Sequence, residues 1–273
     1  MLVNSRWILD RAKEGGFAVC APNTNNETFA RVAIEAAEEN HTALILDLNY
    51  PQIPDMVFFG RIVERLAKDA SVPIAIQQDH GGTYEQAIWA IRSGYTGIMP
   101  DRSDKPYEEN VAEVAELVKI AHAVNVSVEG EIGHVGMGDE PDTIRKNLVQ
   151  PEMVKDYTER TGVDALAIAI GTTHGLYAGK PFIDFDLLAQ CLAITDVPLV
   201  LHGGSSTGDE LLAQAARSGI CKINICTDLL MNAARLWNEA GVTDAGKGVK
   251  YLRQGYKEKL VHYMNVFGQV DKF

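Results

Sequence analysis

The feature that most constrains this chain is an alternation. Eight short β-rich runs are separated by longer stretches of helical pattern. The runs are Phe17–Ala21, Ala43–Leu48, Pro73–Gln78, Gly97–Met99, Val126–Glu131, Ala165–Ile170, Pro198–Leu201 and Cys221–Ile225. The helical stretches include Glu27–Glu39, Asp55–Asp69, Tyr84–Ser93, Tyr107–Ala123, Pro151–Thr161, Asp186–Ile194 and Asp209–Arg217. In Tyr107–Ala123, Val111, Val114, Val118 and Ala121 recur at helical spacing, with Glu108, Glu109, Glu113 and Glu116 between them. Several strand runs are almost continuously apolar, as parallel strands covered on both faces are. Eight βα units within 273 residues predict an α/β fold, a closed (β/α)8 (TIM) barrel. An open doubly wound sheet is the alternative. It usually carries fewer strands and a Gly-rich turn after the first, whereas here the first run leads into Ala21-Pro22-Asn23. The expected organisation is one barrel domain over residues 1–273 with a C-terminal helical extension.

Composition narrows the partners. The chain is 46% hydrophobic and 23% charged, ordinary for a soluble globular protein. A formal net charge of -12 argues against nucleic acid and anionic membrane as partners. It leaves an anionic small molecule open, because a donor-rich pocket can outweigh a distant field. Cys20, Cys191, Cys221 and Cys226 show no Cys-x-x-Cys spacing and read as reduced core thiols of a cytoplasmic protein. Arg6, Asp10 and Arg11 charge the first turns, no signal-type apolar stretch follows, and no run is long enough to span a bilayer. Gly133–Asn147 follows the fifth strand and carries Gly133, Gly136, Gly138 and Pro141; it reads either as a lid or as a long solvated loop.

Polar residues gather where the strand runs end: Asn23, Asp47, Asp79 with His80, Asp101, Glu131, His174, His202, and Asn224 with Thr227. Singly, each has a mundane explanation. Asp47 or Asp101 alone reads as a helix cap, and a lone histidine on an apolar run as a satisfied buried side chain. In a barrel, however, all strand ends converge on one face, where catalytic residues collect. His80, His174 and His202 each follow an apolar run and precede a glycine. Three imidazoles with one position left open suit a catalytic zinc, and the glycines let a substrate approach closely. Asp79 adjoins His80, yet strand alternation sends neighbours to opposite sides. Both can face the site only if the strand ends there and the chain turns, for which Gly81-Gly82 supplies the means. The Gly203-Gly204-Ser205 turn is placed to hold a phosphate with backbone donors. Lys222 lies at the start of its strand run and reads as structural rather than as a Schiff-base lysine.

Together these residues form a familiar pattern. The chain resembles the class II, zinc-dependent ketose-bisphosphate aldolases, of the fructose-bisphosphate and tagatose-bisphosphate type. The resemblance rests on Asp79-His80-Gly81, Val128-Glu129-Gly130-Glu131-Ile132-Gly133, Ala169-Ile170-Gly171-Thr172-Thr173-His174-Gly175, Leu201-His202-Gly203-Gly204-Ser205 and Ile223-Asn224-Ile225, in that order and spacing. It implies a lyase of carbohydrate metabolism (glycolysis) that cleaves a phosphorylated ketose to dihydroxyacetone phosphate and an aldehyde. It implies that His80, His174 and His202 hold Zn2+ or another divalent metal, with Glu131 able to join or lie near it and Asp101 nearby. Asp79 matches the proton-transfer residue, and Asn224 would contact the enediolate. Gly175, Gly203, Ser205, Asn224 and Thr227 match positions that hold the ketone phosphate, with Gly204 and Asn23 beside them. A monovalent cation near the phosphate and a homodimer or homotetramer are also implied.

The chain departs from this pattern in several places. Gln77-Gln78 precede the catalytic aspartate, Pro100-Asp101-Arg102-Ser103 follows the fourth strand, and the phosphate loop reads Gly204-Ser205-Ser206. Cys226 stands between Asn224 and Thr227 in the last motif, and Asp47-Leu48-Asn49 ends the second strand. Ser206 adds a side chain where close backbone approach is expected, and Asp47 is placed to add negative charge near the ketose. A second phosphate would need Arg102, Arg253 or a residue of a neighbouring subunit, and the base for the ketone half would be Asp139 or Glu140. The substrate alternatives are therefore a different ketose phosphate or a sugar acid. Two other classes compete: a barrel metallohydrolase, which commonly carries His-x-His where this chain has Pro22-Asn23-Thr24, and a non-catalytic barrel, against which the retained histidines, Glu131 and Asp79 argue.

Overall fold

The computed structural model describes residues 1–49, 55–138 and 140–273. The apolar runs form eight strands: β1 (Val19–Pro22), β2 (Leu44–Asn49), β3 (Ile74–Gly81), β4 (Gly97–Pro100), β5 (Ser127–Ile132), β6 (Ala165–Ile168), β7 (Leu199–Leu201) and β8 (Ile220–Ile225). Neighbours pair in parallel in the order β1-β8-β7-β6-β5-β4-β3-β2. The two ends of that list meet at a bridge between Asn23 and Asp47, where the Thr24 amide donates to the Asp47 carbonyl at 2.9 Å. The sheet is thus a nearly closed barrel, the fold expected from the alternation.

Helices between the strands cover the outside. In chain order the helices are α1 (Ser5–Gly15), α2 (Glu27–Glu39), α3 (Met56–Asp69), α4 (Tyr84–Arg92), α5 (Tyr107–Ala123), α6 (Pro141–Lys146), α7 (Pro151–Thr161), α8 (Phe185–Leu192), α9 (Asp209–Ser218), α10 (Thr227–Glu239) and α11 (Ala245–Val266). Local chemistry sets several starts. Asn26, Asp55 and Asp184 each accept an amide of the first turn, and Thr83 and Gln86 form a reciprocal capping box. Helices α1 and α6 go beyond those named from sequence, while α10 and α11 occupy the C-terminal stretch read there as a helical extension. The span Gly133–Asn147 contains α6, and its ends are anchored. The His134 amide donates to the Asn147 carbonyl at 3.0 Å, and Gly136 and Gly138 exchange bonds with His174, each at 2.8 Å.

Two apolar clusters result. The larger lies between the strands and the outer helices. The smaller fills one end of the barrel interior, where Ile8, Leu9 and Ala12 of α1 pack with Val19, Ile45, Ala75, Ala167 and Val200. Fully burying each such Ile or Leu contributes roughly 1.5–3 kcal/mol. Helix α1 is pinned there by the Ser5 amide on Ser127 Oγ (3.1 Å) and by Ser5 Oγ on Gln77 Oε1 (2.9 Å). Since α1 closes the end where the strands begin, the carboxyl ends form the open face. At that face α11 stacks Tyr256 on Phe29, ring centroids 4.5 Å apart, and the Tyr256 hydroxyl donates to the Asn23 carbonyl at 2.9 Å. All four cysteines are free thiols. Among the described residues no helix is long and apolar enough to cross a membrane.

Candidate functional site

The carboxyl ends of the strands surround a cleft of about 620 Å³. Its lining includes Asn23, Asp79, His80, Asp101, His174, Gly175, Gly203, Gly204, Ser205, Asn224 and Thr227. Sequence-nominated residues from distant parts of the chain therefore share one cavity. Glu131 is buried at the end of β5 and joins the same cluster from the side.

His80, His174 and His202 converge. His80 Nε2 lies 3.2 Å from His174 Nε2 and 3.0 Å from His202 Nδ1. The other nitrogen of each ring is engaged elsewhere: His80 Nδ1 with Asp101 Oδ2 at 2.7 Å, His174 Nδ1 with the Val135 carbonyl at 3.0 Å, and His202 Nε2 with Glu129 Oε1 at 2.8 Å. Those partners are acceptors, so each ring spends its N–H outward and aims a lone pair inward. This is the arrangement that outer partners impose on metal-binding histidines. Three lone pairs at these separations repel one another unless positive charge lies among them. The surroundings favour such charge. Without a metal that charge is a proton: burial opposes a charged His80, yet Asp79, Asp101 and Glu131 outweigh it and raise its pKa to about 10, and a bound cation would take the place of the proton on Nε2. Burial, together with His80 and His202, pushes His174 well down. The residues present therefore fit a divalent cation held by three imidazoles.

Glu131 receives the Val135 amide on Oε1 at 3.1 Å, while its Oε2 has no hydrogen-bond partner among the described residues and lies 3.8 Å from His202 Nδ1. Burial and then Asp101 raise its pKa to about 8. Asp101 is engaged by His80 and by Ser103, whose amide and hydroxyl both donate to Oδ1. It orients the His80 imidazole, lines the cleft, and with His80 and Glu131 forms a second group whose ligand atoms lie close enough to share a cation.

Asp79 stands beside the histidines, Oδ1 being 3.8 Å from His80 Nε2. Asn23 Nδ2 donates to Oδ2 at 2.7 Å and Asn224 Nδ2 to Oδ1 at 3.2 Å. Burial opposes its ionisation, but His80, His202 and Lys222 hold its pKa below the ordinary value. Asp79 and His80 both face the cleft, and the reason corrects the expectation from sequence. The turn is not at Gly81-Gly82: β3 continues to Gly81, and His80 itself adopts φ +48° within a register shift between Gln78 and Gly81. That bulge undoes the alternation.

The Gly203–Thr227 region forms one wall. Gly203 has φ +67°, and a β-carbon there would lie 2.5 Å from the Thr173 carbonyl oxygen, so only glycine fits. Ser205 Oγ accepts the amides of Cys226 (3.1 Å) and Asp228 (3.3 Å), which leaves its own hydrogen to donate. Asn224 Oδ1 is buried with no partner among the described residues.

Several departures resolve differently from their expectations. Ser206 takes φ +62°, and its amide and hydroxyl both turn to Asp228, away from the cleft. Asp47 is fully buried beside Lys222, 3.4 Å away, and lies outside the cleft lining. Burial raises the pKa of Cys226, which does line the cleft, to about 12, so its thiol stays neutral. Arg102 is buried against Glu113 and the carbonyls of Gly81 and Asp101, and Arg253 pairs with Glu35. Neither reaches the cleft, and among the described residues no lysine or arginine lines it. Glu140 is exposed at the start of α6, outside the lining; Asp139 lies outside the described residues.

Sequence reasoning missed Glu129, Gln77 and His134. Glu129 holds His202, Gln77 Nε2 holds Glu129 at 2.8 Å, and His134 lines the cleft and contacts Ser103 Oγ at 2.8 Å. A signal for Glu129 existed: it sits two residues before Glu131, on the same side of one strand.

Comparison with known proteins finds relatives over the length of the chain. The family model for fructose-bisphosphate aldolase class-II matches residues 3–272. The chain is 38% identical to a fructose-bisphosphate aldolase of Thermus caldophilus, all of both chains being covered. It is 36% identical to a probable fructose-bisphosphate aldolase of Bacillus subtilis over 99% of each. Among solved structures, the YdjI aldolase of Escherichia coli K12 superposes with a TM-score of 0.90 at 29% identity, over 99% of this chain and 98% of the other. With its family model matched from end to end and such relatives at full length, the chain belongs to the class-II fructose-bisphosphate aldolase family.

Proposed function

We propose that this aldolase reversibly cleaves a phosphorylated ketose to dihydroxyacetone phosphate and an aldehyde, using a divalent metal, zinc in the first instance, held by His80, His174 and His202. The observation that supports it most is the inward convergence of three imidazole nitrogens beside a carboxylate held by two amide donors. When bound there, the metal supplies Lewis-acid polarisation of a ketone and its neighbouring hydroxyl.

The chain's own residues carry the remaining roles. Asp79 takes the proton from the hydroxyl whose collapse to a carbonyl breaks the carbon–carbon bond. Asn23 and Asn224 aim both oxygens of Asp79, and Asn224 Oδ1 remains free to accept a substrate hydroxyl. Ser205, Thr227 and the glycine turn at Gly203 and Gly204, with Gly175 opposite, receive the phosphate of the ketone half. Glu131 Oε2 is the spare carboxylate oxygen beside the cluster.

Fructose bisphosphate, the substrate after which the relatives are named, is the first to test. The proposal extends to a cytoplasmic homodimer or homotetramer. The deciding experiment measures dihydroxyacetone phosphate release from fructose and tagatose bisphosphates and from the corresponding 1-phosphates, with and without chelator. Release that a chelator abolishes and zinc restores supports the reading; release indifferent to chelator removes the metal from it. The hydroxamate analogue of dihydroxyacetone phosphate should inhibit where unphosphorylated dihydroxyacetone does not. If the analogue does not bind to zinc-loaded protein, the phosphate assignment is wrong.

A further inference from the structure

Beneath the histidine cluster the barrel interior holds a second set of polar side chains that the proposed cleavage does not use. Lys222 on β8, Glu129 on β5, Asp47 on β2 and Gln77 on β3 are all at most 2% exposed. Side chains from strands so far apart in the barrel order meet only inside it. Lys222 Nζ lies 3.1 Å and 2.9 Å from the two oxygens of Glu129. Gln77 Nε2 donates to Glu129 Oε2 at 2.8 Å, and Ser5 Oγ fixes that amide by donating to its Oε1 at 2.9 Å. Stability alone does not ask for this set, because well-packed apolar side chains of similar volume often hold a core as well as a buried ion pair.

The hydrogen-bond directions give it a purpose. An ammonium has donors and no acceptor. The Glu129 carboxylate draws the nitrogen end of the Gln77 amide, which leaves Gln77 Oε1 to accept the Ser5 hydroxyl. Every protein group around Glu129 other than His202 therefore donates to it, and the remaining 2.8 Å contact with His202 Nε2 must be a donation from the imidazole. The hydrogen of His202 then sits on Nε2, and Nδ1 is left as a bare lone pair directed at His80 Nε2, 3.0 Å away. We infer that Lys222 is a positioning residue: by holding Glu129 as an acceptor, it sets which ring nitrogen of His202 carries the hydrogen and so which one is offered to a cation. The inference rests on the metal site proposed above.

Zinc affinity, measured by competition with a chromophoric chelator, tests it alongside the melting temperature of the metal-free protein. Lys222→Met should weaken zinc by about 10- to 100-fold, the usual cost of losing an outer partner, and Lys222→Arg should recover much of the loss. Nitrogen NMR of the histidine rings in metal-free protein should show the His202 hydrogen on Nε2 in the wild type and its loss from that position in Lys222→Met. Asp47→Asn changes the other neighbour of the ammonium and should keep the wild-type zinc affinity. A folded Lys222→Met with wild-type affinity overturns the inference. Should that variant not fold, Glu129→Leu removes the acceptor through which Lys222 would act, and wild-type affinity there overturns it equally. Weakening of the same size in Asp47→Asn also overturns it, since the network would then act through stability alone. A wild-type protein that binds no zinc, or binds it unchanged in His202→Ala, refutes the metal site itself and this inference with it.

Discussion

Asp79 is restrained on both oxygens, by Asn23 at 2.7 Å and Asn224 at 3.2 Å. Replacing it with Asn keeps the shape and removes the proposed proton acceptor. Asp79→Asn should bind zinc normally and lose cleavage by about two to four orders of magnitude, the usual scale for general acid–base groups. Steady-state rates with metal content measured in parallel check this, and near-normal cleavage would remove Asp79 from the mechanism. Histidines at strand ends, Asp79 and the Gly203-Gly204-Ser205 turn were legible because each interrupts an apolar run that would otherwise need no polar group. The partners that orient them were less legible. Glu129 and Lys222 look like ordinary strand residues until the barrel closes, because their meeting depends on strands remote in sequence. Arg102 shows the opposite error: a cation beside a motif suggests a ligand, yet its guanidinium is spent on Glu113 and two carbonyls.

At the scale of elements, strand identity was readable but the exact path of β3 was not. Neighbouring residues facing one site demand a break in alternation, and glycine is the residue that sequence reasoning credits with it. The chain instead places the positive φ on His80, which tertiary contacts with Asp101, His174 and His202 hold in place. A C-terminal helical extension was expected, but the packing of α11 on α10 and α2 was not, and α1 was harder to foresee because it packs into the barrel interior. Helix α11 matters for the site through one bond, the Tyr256 hydroxyl on the Asn23 carbonyl. Tyr256→Phe should cost about 1 kcal/mol of stability and lower kcat with little effect on zinc affinity, because Asn23 loses a support while the histidines keep theirs. An unchanged kcat would separate α11 from the site. In the phosphate turn, Gly203→Ala puts a β-carbon against the Thr173 carbonyl at a positive φ, and should destabilise by more than about 1 kcal/mol. Thermal melts and inhibition by the hydroxamate analogue would report both effects; a stable variant with normal inhibition would show that the turn tolerates the side chain.

For the whole molecule, metal and fold should be linked. A cation bound at the proposed site, by side chains from β3 and from the segments after β6 and β7, stabilises only the folded chain. At a free zinc concentration a hundredfold above Kd the gain is about 2.7 kcal/mol. Chelation should therefore lower Tm and zinc restore it, in a single cooperative transition if residues 1–273 form one domain as proposed; two resolved transitions would argue for two units. One feature of the barrel bears on its slow motions. Its strands are zipped all the way round except where β1 meets β2; there the Asn23–Asp47 bridge with the Thr24 amide bond joins the carboxyl ends, and lower down the buried Gln269 side chain accepts the Cys20 amide and donates to the Ala43 carbonyl at 3.0 Å. A tube stitched along every side but one gives way along its seam. Amides beside that seam should exchange with solvent sooner than those of β6 and β7. Each such opening would carry Asn23 away from Asp79, so the least fastened edge of the scaffold sets how steadily the proposed proton acceptor is aimed.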